Sequence, residues 1–205
     1  MLKALCVSIF ILWYCASSSA QNTSPVSSTT ITAKEKKINF ATVYTSQWIY
    51  YISSYKKEIK KYGSFENWIK NSINPHYDRD SFEYNLIRHT FAGQYYYLFY
   101  RSRGYTEENA FIWTCLSSFA FEFTIETVTE RPSYQDLYQT PVYGTVLGVG
   151  VEKLSKYLHS TNTWIGHATG YLINPFTLLP PTNSFFGTVI PEQDKISLML
   201  QWELQ

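Results

Sequence analysis

The chain has 205 residues, room for one domain with a real core plus appendages. Its 17 Lys and Arg against 16 Asp and Glu give a formal charge of +1, which argues against nucleic acid or any strongly charged partner as the main ligand. Aromatic content is the outlier, at 18% with 18 tyrosines and 6 tryptophans; rings with one polar end suit wet cores, glycan surfaces and the headgroup level of membranes alike.

Residues 1–20 read as a secretory signal peptide: Lys3 supplies a positive start, 4–14 is a short apolar run, and Ser18-Ser19-Ala20 is a small-residue cleavage site. A lipoprotein route through Cys15 is disfavoured by the bulky Tyr14 before it. Export predicts a periplasmic or outer-membrane-associated location. It leaves Cys115 as the one cysteine, read as a small buried hydrophobe with no disulfide to make. Loss of Lys3 brings the basic residues from 17 to 16, equal to the acidic ones. The Ser/Thr-rich stretch 21–40 reads as a disordered leader, 41–160 as a helical bundle domain, and 161–205 as an aromatic and Pro-rich segment ending in a β-hairpin.

Within the bundle, 43–62 reads as a helix with Trp48, Ile52, Tyr55 and Ile59 on one stripe. Lys56, Lys57, Lys60 and Lys61 crowd its end before Gly63 and read as a solvated terminus in preference to a phospholipid patch. Ser64 starts a short second helix that Asn74-Pro75 ends. Asp80 with Glu83 opens a third, closed by Gly104, on which Asn85, His89, Gly93, Tyr96 and Tyr100 recur at helical spacing. Thr106 caps the next helix, through Phe111, Trp113, Leu116, Phe119 and Phe123. Between 110 and 125 only Glu122 is charged, and the run falls short of the ~20 apolar residues a bilayer crossing needs, so a buried or membrane-surface helix is expected. Glu122 and Glu126 stand four apart on a face shared with Ser118 and Cys115; carboxylates so placed need a cation, a shared proton or donors between them.

Glu130-Arg131-Pro132 breaks the helix, and Ser133 caps its restart with Asp136 at the third position. Thr140-Pro141 reads as a cap with proline at the first helical position, followed by Gly144 and Gly148, four apart, where another helix can press close. No phosphate-cradling glycine loop, zinc-type Cys/His spacing or G-x-S-x-G elbow occurs, so no cofactor or metal is implied by a motif. In the tail, His167 is a second histidine for the carboxylates. Residues 196–204 alternate apolar and polar, a half-buried strand that 185–190 can pair with and that could extend a partner's sheet. The expected class is mainly α, an antiparallel helical bundle with a C-terminal β-hairpin.

The order N-x-x-x-H-x-x-x-G with Tyr95 and Tyr96 behind (Asn85, His89, Gly93), then Arg101 with Gly104, then Glu122, Glu126, Glu130, Pro132, Ser133, Asp136 and Leu137, then Thr140, Pro141, Gly144 and Gly148, resembles an exported bacterial family known as domain of unknown function 3943. That family usually shows a proline or similar residue after the histidine, where Thr90 stands here, and an acidic residue soon after the last glycine, where Glu152 falls a few residues later. A looser likeness extends to VanZ-like proteins and small envelope lipoproteins. The resemblance implies no activity.

Three functional readings are open. The first is a structural or interaction module of the cell envelope, tied together by a buried network of His89, Arg101, Glu122, Glu126 and Asp136, with Asn85 and Ser133 as further polar members and Gly93, Gly144 and Gly148 as packing positions. The second is an envelope lipid or cell-wall hydrolase with Glu122 or Glu126 as general base, His89 as acid or ligand and Arg101 as anion clamp. The third is a membrane-surface binding protein that uses its aromatic residues at the interface. Expected partners are a membrane surface or outer-membrane protein, and no nucleic acid.

Overall fold

Thr32 begins the ordered helices: its hydroxyl accepts from the Glu35 amide at 3.2 Å while the Glu35 carboxylate accepts from the Thr32 amide at 2.7 Å. This reciprocal cap starts helix α1 (Ala33–Ser54) inside the stretch expected to be a disordered leader, so residues 33–40 are helical instead. The computed structural model describes residues 31–77, 79–179, 185–191 and 196–202, without the side chains of Tyr84, Asn85 and the residues from 180 onward; the stretch read as a signal peptide lies outside the described residues.

The helix read as continuous over 43–62 breaks at Tyr55 into α1 and a short α2 (Lys56–Tyr62) that carries the lysines. The buried face of α1 is Asn39, Val43, Gln47 and Tyr51, one position away from the expected stripe, and Ile52 faces outward. Polar residues decide this face. Gln47 Nε2 donates to the Ser117 carbonyl at 3.0 Å, and Asn39 Nδ2 to the Tyr105 hydroxyl at 3.4 Å.

Helix α3 (Phe65–Ser72) is capped by Ser64. Helix α4 (Phe82–Ser102) ends at Gly104, whose φ of 86° only glycine adopts without strain. Helix α5 (Glu107–Ala120) is capped by Thr106, as its sequence predicts. It then loosens into a π-turn (Phe121–Ile125) and a 3-10 turn (Glu126–Val128). Carbonyls in this irregular stretch find side-chain donors on α3: Trp68 Nε1 reaches the Thr124 carbonyl at 2.8 Å and Asn71 Nδ2 the Thr127 carbonyl at 3.0 Å. A single turn (Asp136–Tyr138), a second π-turn (Gln139–Tyr143) and helix α6 (Gly144–Ser160) follow without a break. Thr140 is therefore no cap, and its hydroxyl is used elsewhere.

Helix α7 (Trp164–Ile173) and the turn Pro175–Leu178 belong to the bundle despite the expected break at 161. Ser155 Oγ donates to the Gly170 carbonyl at 3.2 Å, and Phe176 meets Tyr95 and Phe99 edge-on. The described fold is mainly helical. The C-terminal hairpin is not supported as part of it: the backbone of Phe185–Pro191 runs antiparallel to Ile196–Trp202, and the side chains there lie outside the described residues.

The antiparallel expectation holds only for neighbours in sequence. Chain direction reverses from α4 to α5, where Tyr100 meets Ser117 hydroxyl to hydroxyl at 2.8 Å, and reverses again to α6. That leaves α4 and α6 parallel and in contact at one constant offset of 51 residues: His89 with Thr140, Gly93 with Gly144, Tyr97 with Gly148, and Arg101 with Glu152. The aromatic core of Tyr97, Leu98, Tyr100, Tyr105 and Trp113 fills the space beside this seam. A Cβ on Gly144 would lie 2.5 Å from Gly93 Cα, and one on Gly93 would collide with the Thr140 carbonyl oxygen. A Cβ on Gly150 would meet nothing.

Gly93→Ala and Gly144→Ala should therefore each cost about 1–3 kcal/mol or more in denaturant unfolding, because backbone has to move. Gly150→Ala should gain up to about 1 kcal/mol from helix propensity. Equal effects at the three positions would rule out the close crossing.

Candidate functional site

The parallel seam carries a different polar group at each end. At the α4 N-terminal end His89 lies with its Nδ1 3.0 Å from Thr140 Oγ1 and its Nε2 3.4 Å from Asp136 Oδ2. Glu122 comes in from the π-turn, with a carboxylate oxygen close enough that one donor atom from each of His89, Glu122 and Asp136 falls within 4.8 Å of the others. Three segments far apart in sequence thus deliver one imidazole and two carboxyl groups to one point.

Each is fixed by something local. Ser133 Oγ accepts from the amides of Gln135 at 3.2 Å and Asp136 at 3.4 Å, which turns the chain so that the Asp136 side chain meets His89. The Ser133 amide donates to Glu122 Oε2 at 3.1 Å. The turn itself is held in place by His76, which forms a parallel bridge with Ser133: its amide donates to the Pro132 carbonyl and its carbonyl accepts from Tyr134, both at 2.9 Å. His76 was not singled out from the sequence, where nothing but the following Tyr77 marks it.

Glu122 is 1% exposed, and removal from water pushes its carboxyl well above the usual carboxylate range; the negative charges of Glu126 and Asp136 add to this, and the Ser133 amide only partly opposes it. Its hydrogen bond with the Glu126 carboxyl acts in the same direction. The half-buried Glu126 also lies beside Tyr51, whose hydroxyl donates to the Glu126 carbonyl at 3.2 Å; burial pushes that phenol up to about 12.

Arg101 is not part of this cluster. It sits 12 residues farther along α4, about 18 Å at 1.5 Å per residue. There its Nε and a terminal nitrogen hold the two oxygens of Glu152 at 2.8 and 2.7 Å, and its other terminal nitrogen donates to the Tyr105 carbonyl. The expected five-member network is thus two separate centres, and Glu152, noted only as a misplaced acidic residue, is the partner that the sequence reading missed. Lys156, one turn on, adds a contact at 2.5 Å. Burial alone would raise the Glu152 carboxyl; Arg101 and Lys156 outweigh it and hold the group below its ordinary 4.5.

Asn85 lies on α4 one turn before His89 and at the same 51-residue offset from Asp136, with its side chain outside the described residues. His167 does not approach the carboxylates: it faces His159, with the two Nδ1 atoms 3.0 Å apart. Cys115 is half-buried, and burial raises its thiol. One open concavity runs along Ile59, Phe65 and Trp68 and another along Asn71, His76 and Arg131; neither of these two is lined by His89, Glu122 or Asp136.

With the geometry in place, comparison with known families decides the kinship. The model of the family described as "Domain of unknown function (DUF3943)" matches residues 74–176, half of the chain. The chain belongs to the DUF3943 family. The matched span runs from the segment that grips Ser133 to the turn after α7, so it contains both polar centres and the parallel seam between them. No curated protein and no solved structure matches the chain.

Arg101→Met should cost about 2–4 kcal/mol by stranding a buried carboxylate, the lower figure reflecting the fifth of the Arg101 side chain that stays in water. Because the folded-state pKa of Glu152 is depressed, its contribution is present above 4.5 and is lost as pH falls through the lower folded value. Unfolding free energies measured from neutral pH downward should therefore show an acid limb that Glu152→Gln flattens; an unchanged limb would remove Glu152 as its source.

Proposed function

We propose that this DUF3943 protein is an exported cell-envelope protein whose helical domain is an interaction module seated at a membrane surface. The observation that carries the reading is the inverted face of α5. Thr114, Ser117, Ser118 and Glu122 point into the bundle, while Phe111, Ile112, Leu116 and Phe119 are exposed.

Single exposed hydrophobes are ordinary on any protein. Here they recur on successive elements: Phe65, Ile69 and Ile73 on and just past α3, Ile87 and Phe91 on α4, Val146 on α6, Leu172 on α7. Burying a large apolar side chain is worth about 1.5–3 kcal/mol, a gain this chain forgoes repeatedly in favour of buried hydroxyls and carboxyls. Such a choice is understandable where the outside is apolar as well. Four exposed lysines, Lys56, Lys57, Lys60 and Lys61, sit just ahead of the Phe65–Ile69–Ile73 stripe, an arrangement that suits anionic headgroups at about 1 kcal/mol per lysine. No helix among the described residues is long and apolar enough to cross a membrane, which favours lying on the surface. The alternating stretch 196–204 fits the same setting as a strand offered to an outer-membrane partner's sheet.

The hydrolase alternative has suitable groups in His89 and Glu122, but the concavities lie elsewhere, and the interaction reading needs no substrate cleft. The full chain should float with vesicles containing anionic lipid and stay bound through a high-salt wash. Replacing Phe111, Leu116 and Phe119 together by Ser should weaken retention about tenfold or more, whereas Lys→Gln changes at the four lysines should matter only at low salt. Complete release of the unaltered chain by high salt alone would sink the proposal.

A further inference from the structure

One imidazole nitrogen and two carboxylate oxygens, each held from behind, converge within 4.8 Å at the junction of α4 and the two π-turns. We propose that His89 Nε2 and the carboxylates of Glu122 and Asp136 bind one divalent first-row transition ion, with the Glu126 carboxyl at hand as a further oxygen donor. The inference concerns the interior of the bundle and does not depend on whether the chain sits at a membrane.

The separation of His89 Nε2 and Asp136 Oδ2 is the first argument. At 3.4 Å it is too long for a charge-assisted hydrogen bond, which closes to about 2.7–2.9 Å. Two ligands of a tetrahedral ion at about 2.1 Å are themselves about 3.4 Å apart. The 4.8 Å span of the three donors is wider than that edge by about 1.4 Å, a gap that rotation of a carboxylate can close.

Orientation is the second argument. Thr140 Oγ1 occupies His89 Nδ1 at 3.0 Å, which leaves Nε2 as the nitrogen facing the carboxylates, the arrangement in which ligating histidines are usually braced. The Ser133 amide takes Glu122 Oε2 at 3.1 Å and so fixes the carboxylate from the backbone side. Glu122 and Thr140 both sit in π-turns, a distortion that recurs at functional positions and that here places a ligand in one case and a brace in the other.

Charge is the third. The charges that bear most on the buried Glu122 carboxyl, those of Glu126 and Asp136, are both negative, so a dication would offset them. The donor set has one imidazole and oxygen ligands without a thiolate, which suits Zn2+, Mn2+ or Fe2+ and disfavours Cu+.

The full chain, purified without chelator, tests this with Zn2+ and Co2+ as probes. The expected result is about one ion per chain, a melting temperature that rises with Zn2+ and falls on chelation, and a visible Co2+ absorption that Zn2+ abolishes. Asp136→Asn and His89→Gln should each weaken Zn2+ binding about tenfold or more, while His159→Gln and His167→Gln, at the other histidine pair, should leave it unchanged. If the site variants fail to fold, the unaltered chain still decides through its stoichiometry, Co2+ spectrum and chelator response. A chain that takes up no ion, or binding that survives the Asp136 and His89 changes or disappears with the His159 and His167 changes, overturns the proposal.

Discussion

The contact of α4 with α6 at a constant offset of 51 residues sets the geometry of everything else in the core of the bundle. Two helices that run parallel in register put every fourth residue of one against every fourth residue of the other. Here the facing pairs are His89 and Thr140, Gly93 and Gly144, Tyr97 and Gly148, Arg101 and Glu152. The glycine pair in the middle brings the backbones into contact, and that closeness lets a short threonine hydroxyl reach an imidazole at one end and lets a guanidinium grip a carboxylate with two bonds at the other. Any side chain at the crossing would push the helices apart and loosen both centres together.

The interior this seam creates is polar, and its polar groups are answered only in part: among the described residues the buried Gln94 Oε1, Ser118 Oγ and Gln139 Oε1 have no hydrogen-bond partner, whereas others do. Gln47 serves the Ser117 carbonyl, Tyr100 the Ser117 hydroxyl, and Trp68 and Asn71 serve carbonyls near the π-turn. A buried network is tolerable when its members are satisfied and costly when they are not. The π-turn belongs to this accounting: it shifts Glu122 out of regular α-helical register toward Ser133 and Asp136, and the carbonyl pattern it disturbs is repaired by α3 from outside.

Much of the fold was legible in the chain. The caps at Ser64 and Thr106, the stop at Gly104 and the restart at Ser133 follow from local chemistry that does not depend on tertiary context. The gathering of His89, Glu122 and Asp136 was foreshadowed by charges placed in apolar surroundings, where isolation is expensive. What failed were inferences that equate inside with apolar. On α1 that rule selected Ile52, and the buried face belongs to Asn39 and Gln47, which face inward because carbonyl and phenol partners wait there. Arg101 was assigned to the wrong centre because a sequence shows that a buried cation needs an anion without showing which helix supplies it. The 51-residue register passes through two reversals of direction, two π-turns and a loop, none of which has a spacing rule.

The two centres also bracket a neutral layer. Between His89 and Arg101 on α4, between Glu108 and Glu122 on α5, and between Asp136 and Glu152 on α6, the sequence contains no Asp, Glu, Lys or Arg. At the two ends His89 meets Asp136 at one level and Arg101 meets Glu152 about 18 Å along α4 at the other, while Glu108 is exposed. Over that layer only hydroxyls, amides and rings separate core from exterior, and the rings and aliphatic chains are in large part on the outside, as Phe91, Phe111, Leu116 and Val146 illustrate. An outward-facing charge in the layer would have cost nothing in water and would have improved solubility. The absence of charge from this layer is therefore the same physical pattern as the inverted face of α5, repeated along three helices.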